Sequence, residues 1–193
     1  MKNWKKIFVF ISMAAFAFSL TACADSTENT EENVLDSENV SNDNETQSTL
    51  IAYFSYTGNT EEVAQQIADQ TGGTLVEIER ATPYEDASEE GEEEIENNVH
   101  PEITVDLDSV DDYDTIFVGY PIWFDEAPMV IDTFLESFDF SGKTIVPFCT
   151  SASDSIDNSL HIFSELAPDA VIADGLTAND EADIGSWLNE LGY

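Results

Sequence analysis

The sequence predicts an α/β domain with a doubly wound, five-stranded parallel sheet and helices on both faces. Three observations carry this. Short apolar runs alternate with helix-period patterns from Leu50 to the C-terminus, and such alternation builds parallel sheets through right-handed crossovers. Two of the runs are almost continuously apolar, as strands buried on both faces are. The first run passes straight through a turn of small polar residues into a helix.

The elements follow in order. Residues 50–54 are the first strand. Ser55, Thr57, Gly58, Asn59 and Thr60 form the turn behind it. A helix comes next: Val63, Ala64, Ile67 and Ala68 share one face, Glu61 and Glu62 occupy its first turn, and Gly72-Gly73 stops it. Strand, polar turn and helix start aim backbone N–H groups and hydroxyls at one point, where an anion can sit. An ordinary turn capped by Asn or Thr fits the same residues. Residues 75–80 alternate apolar and charged, so the second strand has a wet face and is expected at a sheet edge. Residues 85–98 then interrupt the alternation. They hold Glu89-Glu90-Gly91-Glu92-Glu93-Glu94, whose like charges repel, and a loose helix or loop is expected. A docking surface for a basic partner is the functional alternative. Residues 115–120 and 144–149 read as central strands, with a local break expected at Pro147, which has no N–H for a ladder. Residues 170–173 are the fifth strand. Pro128 suits a first helical position, ahead of a stripe of Val130, Ile131, Phe134, Leu135 and Phe138. Leu160, Phe163 and Leu166 form another stripe. Ile184, Trp187, Leu188 and Leu191 form the last, opened by Asn179 or Asp180 as cap.

The ends and the composition narrow the function. The formal net charge is −36, and Lys2, Lys5 and Lys6 stand in the first 22 residues, which contain no Asp or Glu. The remainder should repel nucleic acid and anionic membrane. A basic start and a short apolar run over residues 7–20 read as a signal peptide, too short for a spanning helix. Leu20-Thr21-Ala22-Cys23 follows and resembles the lipobox of bacterial lipoproteins. That resemblance implies a lipidated Cys23, attachment to the outer side of the cytoplasmic membrane, and export in an unfolded state. An ordinary signal peptide with a chance cysteine is the alternative. Residues 24–48 lack Lys, Arg, Gly, Pro and aromatic residues and are rich in Glu, Asp, Asn, Ser and Thr; they read as a disordered acidic tether. The organisation is thus a lipoprotein signal peptide over residues 1–22, a tether over 23–48 and a domain over 49–193. Cys149 follows an apolar run and reads as a core residue. His100 and His161 are far apart, and no metal site is assigned.

Three stretches carry a family resemblance. Tyr53-Phe54-Ser55-Tyr56-Thr57-Gly58-Asn59-Thr60 resembles the phosphate loop of the flavodoxin family, S/T-x-T-G-N-T. Gly119-Tyr120-Pro121-Ile122-Trp123-Phe124 and Ala127-Pro128-Met129 resemble the loop after the third strand. Gly142-Lys143-Thr144 through Pro147-Phe148-Cys149-Thr150-Ser151 resembles the fourth strand and its loop. The resemblance implies a flavodoxin-like sheet of order 2-1-3-4-5 with FMN at its switch point. It implies that Ser55, Thr57, Gly58, Asn59 and Thr60 hold the phosphate. It implies that Pro121, Ile122, Trp123 and Phe124, with Thr150, Ser151 and Ala152, flank the flavin. Trp123 is expected to touch the isoalloxazine, with simple packing as the plainer role. The chain departs from the pattern in two places. Asp125 stands where a Gly follows the aromatic pair, and Ala152-Ser153-Asp154-Ser155-Ile156-Asp157 replaces a Gly-rich loop. The expected function is an FMN-binding lipoprotein for electron transfer or flavin-dependent reduction, with unidentified donor and acceptor. The alternative is a binding module of the same fold that has lost its flavin.

Overall fold

The computed structural model describes residues 48–179 and 181–193. The signal peptide, Cys23, the tether and the cap position Asp180 lie outside the described residues. Strands β1 (Thr49–Tyr53), β2 (Thr74–Arg80), β3 (Ile103–Val105), β4 (Thr115–Pro121), β5 (Thr144–Thr150), β6 (Val171–Ile172) and β7 (Leu176–Thr177) form one sheet. Its order is β3-β2-β1-β4-β5-β6, with β7 also on β5. Every pair is parallel except β2–β3. The predicted 2-1-3-4-5 core is therefore present, in the form β2-β1-β4-β5-β6/β7.

Strand residues alternate between two cores. Leu50, Ala52, Ile116, Val118 and Ile145 face helices α3 (Met129–Ser137) and α4 (His161–Leu166). Ile51, Tyr53, Phe117, Val146 and Phe148 face α1 (Asn59–Thr71) and α5 (Glu181–Leu191). Both faces are covered, which is why β1, β4 and β5 carry continuous apolar runs. Pro128 is the N-cap of α3, one residue ahead of its expected place. Cys149 is fully buried, its Sγ donating to Thr177 Oγ1 at 3.7 Å, and burial pushes the thiol up to about 11.

Three expectations are corrected. First, β2 is not the edge along its whole length, because antiparallel β3 pairs with Ile78–Arg80 outside it. Second, residues 87–97 are the regular helix α2 (Ala87–Asn97). The Asp86 carboxylate accepts the N–H groups of Ser88 and Glu89, and Glu90 Oε1 reaches back to the N–H groups of Glu85 and Asp86. Arg80 on β2 pairs with Glu90 and Glu94, both at 2.9 Å, so the acids facing the sheet are compensated. Third, β5 runs unbroken through Pro147, which pairs with Val118. The break lies in the neighbouring strand. Ile145 C=O accepts from Ala173 N–H (2.9 Å) and Cys149 C=O from Ala178 N–H (2.7 Å). Alternate residues of β5 therefore turn their backbone toward β6 and β7. Pro147 shares that orientation, so its missing N–H faces the gap between them. Gly175 fills this gap so closely that a Cβ on it would lie 3.3 Å from the Pro147 carbonyl oxygen.

Candidate functional site

The site grows from the carboxyl ends of β1, β4 and β5, which are neighbours in the sheet. After β1, Phe54 N–H bonds the Gly119 carbonyl (2.9 Å), and the chain turns. Ser55 Oγ accepts the Gly58 N–H at 3.1 Å. Gly58 has φ +91°, a conformation open to glycine because it has no Cβ. Helix α1 then starts with no side-chain cap, and its first bond runs from Glu62 N–H to the Gly58 carbonyl. The N–H groups of Asn59, Thr60 and Glu61 thus lie ahead of the helical ladder, at its positive end. Thr60 is buried, its Oγ1 sharing a 2.9 Å hydrogen bond with Thr150 Oγ1. That bond ties the β1 loop to the β5 loop.

These loops enclose a cleft of about 580 Å³. Of the sequence-predicted residues, Thr57, Asn59, Pro121, Ile122, Thr150, Ser151 and Ala152 line it. Ser55 and Gly58 shape the turn behind it, and Thr60 points inward. Trp123 and Phe124 lie on the far side of Ile122, beside a second hollow of about 310 Å³. There Trp123 makes edge contacts with Phe54, Tyr56 and Tyr84. Gly91 of α2 backs onto its indole so tightly that a Cβ would come within 2.8 Å.

Both departures from the flavodoxin pattern find a local answer. Trp123 and Glu126 exchange two backbone hydrogen bonds of 2.9 Å around Phe124 (φ +52°) and Asp125 (φ +66°). Asp125 takes the left-handed conformation that a glycine would supply; Asp tolerates it, whereas Phe124 pays roughly 1–2 kcal/mol. In the β5 loop, Ser151 Oγ accepts the N–H groups of Ser153 (3.2 Å) and Asp154 (2.7 Å), so a side chain holds a turn that glycines would leave free. Asp157 bonds the Ser155 hydroxyl, and Asn158 Nδ2 reaches Asp125 Oδ1 at 3.4 Å, joining the two loops. Beside that contact, burial raises the Glu126 carboxyl above its usual range, opposed by His161 at 3.8 Å.

The cleft also has walls that the motifs did not mark: Glu62, Val63, Gln66, Ala178, Asn179 and Ile184. Val63 and Ile184 read as core stripe and Asn179 as a helix cap. Instead Asn179 Oδ1 accepts the Ser151 N–H at 3.0 Å, bracing the loop from a distant segment. Sequence carries no signal for that contact. The cleft offers neutral donors at one end, apolar Ile122 and Ala152 nearby, and one carboxylate, Glu62, in its wall. Residues 48–193 hold 33 acidic side chains and two basic ones, Arg80 and Lys143. Neither lines the cleft.

The flavodoxin family model matches residues 48–191. The chain belongs to the flavodoxin family. Solved structures share this flavodoxin fold. A candidate flavoprotein of Bacteroides eggerthii is 36% identical with a TM-score of 0.68, covering 76% of this chain and 98% of that one. A second, from Bacteroides uniformis, is 35% identical with a TM-score of 0.68, covering 74% and 98%. A Lactobacillus acidophilus flavoprotein in complex with FMN is 25% identical with a TM-score of 0.61, covering 74% and 99%. Comparison with curated proteins returned no match. Within this flavodoxin the described loops are those that the sequence motifs picked out.

Proposed function

We propose that this flavodoxin domain binds one FMN in its 580 Å³ cleft and serves as an electron carrier outside the cytoplasmic membrane, held there by lipid on Cys23. The observation that carries the reading is the convergence of three loops on one cleft at the amino end of α1. The FMN complex of the Lactobacillus acidophilus relative supports the choice of ligand. The residues present fit the group. Uncapped N–H groups of Asn59, Thr60 and Glu61 suit a phosphate, which helix starts bind without a cation. Thr57 and Asn59 add side-chain donors. Ile122 and Ala152 offer apolar surface to a ring, and the volume lies within the usual range for a cofactor site. When bound, FMN supplies one- and two-electron chemistry.

The chain's own residues do the rest. Ser55 and Gly58 set the loop. Thr60–Thr150 and Asn179–Ser151 fix the distance between its two walls. Glu62 is the ionisable side chain that lines the cleft, and flavin-dependent reduction of a quinone or similar acceptor is the companion reading to a carrier. The visible spectrum and calorimetry of the purified protein, before and after soaking in FMN, test the reading. One FMN per chain with shifted absorbance and quenched fluorescence is expected. Thr57→Ala should weaken it by about 1 kcal/mol. No heat and no spectral change at high FMN would leave the flavin-less binding module as the function.

A further inference from the structure

Strand β3 covers the outer side of β2 only over Ile78–Arg80; it ends at Val105, and the chain bends away at Asp106. Among the described residues no strand pairs with the outer side of residues 74–77. The backbone orientation there follows from the bond that continues the β2–β3 ladder. Ala81 N–H donates outward to the Glu102 carbonyl at 2.8 Å. Alternate residues of a strand direct their N–H and C=O to the same side, so Leu75 and Glu77 also aim theirs away from β1. These groups open onto a hollow of about 570 Å³, lined by Leu75, Val76 and Val105 and by Glu77, Glu79 and Asp106.

An open sheet edge of this kind is a template for one more strand. The side chains around it select which strand. Leu75, Glu77 and Glu79 project on one face of β2 and Val76 on the other. Glu77, Glu79 and Asp106 are all exposed. The domain's two basic residues are engaged elsewhere: Arg80 is paired with Glu90 and Glu94, and Lys143 Nζ donates to the Asp111 carbonyl. A second copy of the chain is a poor occupant. An antiparallel self-pair about this edge brings Glu77 and Glu79 against acidic copies of themselves, and like charges facing across strands are destabilising. Residues 24–47 of the same chain are no better, being rich in Asp and Glu with no Lys or Arg.

We infer that this edge docks an extended basic segment of another protein, which adds as a strand beside residues 75–77 and sets Lys or Arg against Glu77 and Glu79. Neither β2 nor β3 lines the FMN cleft, so the inference does not rest on the flavin. The probe is the peptide acetyl-Lys-Val-Lys-Val-Lys-Val-amide, titrated calorimetrically into the full-length protein in detergent at low ionic strength. Two control peptides separate strand addition from plain attraction to an acidic surface. One has every backbone amide N-methylated, which keeps the charge and removes the donors; the other has glutamate in place of lysine. The probe should bind one per chain, about tenfold or more tighter than its methylated form. The glutamate peptide should not bind. Amide hydrogen exchange followed by NMR should slow at Leu75 and Glu77 when the probe is bound. Glu77→Lys combined with Glu79→Lys should weaken binding about tenfold, with circular dichroism unchanged. Equal affinity for the methylated peptide, or unprotected amides at Leu75 and Glu77, would overturn the proposal on the wild-type protein alone, whether or not the double variant folds. Unchanged affinity in a folded double variant would overturn the choice of a basic partner. Protection of the same amides that grows with protein concentration, without any peptide, would give the edge to a second copy and would overturn it as well.

Discussion

Arg80 is the contact through which the acidic helix α2 is held to the sheet, and Arg80→Met tests that role. Its guanidinium is 2.9 Å from Glu90, 2.9 Å from Glu94 and 2.9 Å from the Thr82 carbonyl, and it lies over the Tyr84 ring. The Glu94 side chain is only 6% exposed. Without Arg80 it keeps one partner, the Tyr84 hydroxyl at 2.8 Å, and a buried carboxylate without a counter-charge remains. Breaking one side of a buried pair costs about 3–5 kcal/mol. Glu90 is 29% exposed and adds less than about 1 kcal/mol. Arg80 is itself partly exposed, so a loss of about 3 kcal/mol is expected, a large fraction of the total for a domain of this size. Urea unfolding measures it, provided the m-value is unchanged. Adding Glu94→Gln to Arg80→Met should recover half the loss or more, because the stranded charge disappears. A loss below about 1 kcal/mol, or no recovery in the double variant, would refute the account of how α2 is held.

Two further predictions concern pH and the anchor. Burial raises the Asp132 carboxyl from 3.8 to about 6, with His100 opposing and Glu136 reinforcing the shift. The folded state therefore holds this proton more tightly than the unfolded chain. Its contribution is complete below about pH 4 and is lost as pH rises through about 6. Asp132→Asn should match wild type at pH 4 and be about 2 kcal/mol more stable at pH 7; an unaltered slope over that window counts against it. The wild-type protein should carry lipid on Cys23, and Cys23→Ala should accumulate as unlipidated precursor. Mass spectrometry finding an unmodified Cys23 in the mature wild-type protein would end the lipoprotein reading.

What could be read in advance depended on whether the controlling contact was local. The turn at residues 55–60 was legible because its geometry is set by consecutive residues: Ser55 receiving the Gly58 N–H, Gly58 at positive φ, Glu61 and Glu62 opening the helix. The central strands were legible because both faces are buried. Helix α2 was misjudged because its like charges are neighbours in sequence, whereas the cation that compensates them sits on β2. The effect of Pro147 was displaced to the adjoining strand for a related reason: the N–H it lacks belongs to a pairing with residues well beyond it. Asn179 was missed as a wall of the cleft because its partner, Ser151, lies 28 residues away. The missing glycines mark a departure from the family pattern, and only the folded contacts show Ser151 and Asp125 supplying the same turns by other means.

The same neutral cradle makes a prediction about salt that runs against the usual one. A phosphate held by Lys or Arg is released as salt screens the attraction. In the proposed site the donors are backbone N–H groups with Thr57 and Asn59, which have no net charge to screen. Glu62 lines the cleft, Glu61 precedes it, and 33 acidic residues face two basic ones across residues 48–193. A dianionic phosphate approaching such a surface is repelled. One carboxylate about 10 Å away in water contributes roughly 0.8 kcal/mol of repulsion to a double charge. The Debye length falls from about 30 Å at 0.01 M salt to about 8 Å at 0.15 M, which removes roughly half of that repulsion. Two or three such carboxylates make about 1 kcal/mol, so FMN should bind roughly fivefold more tightly at 0.15 M than at 0.01 M. Riboflavin, which lacks the phosphate, should show no such gain. Glu62→Gln should flatten the dependence for FMN by raising affinity at low salt. An FMN affinity that falls with salt would mean that a cation reaches the phosphate after all, and the cradle of neutral donors would have to be abandoned.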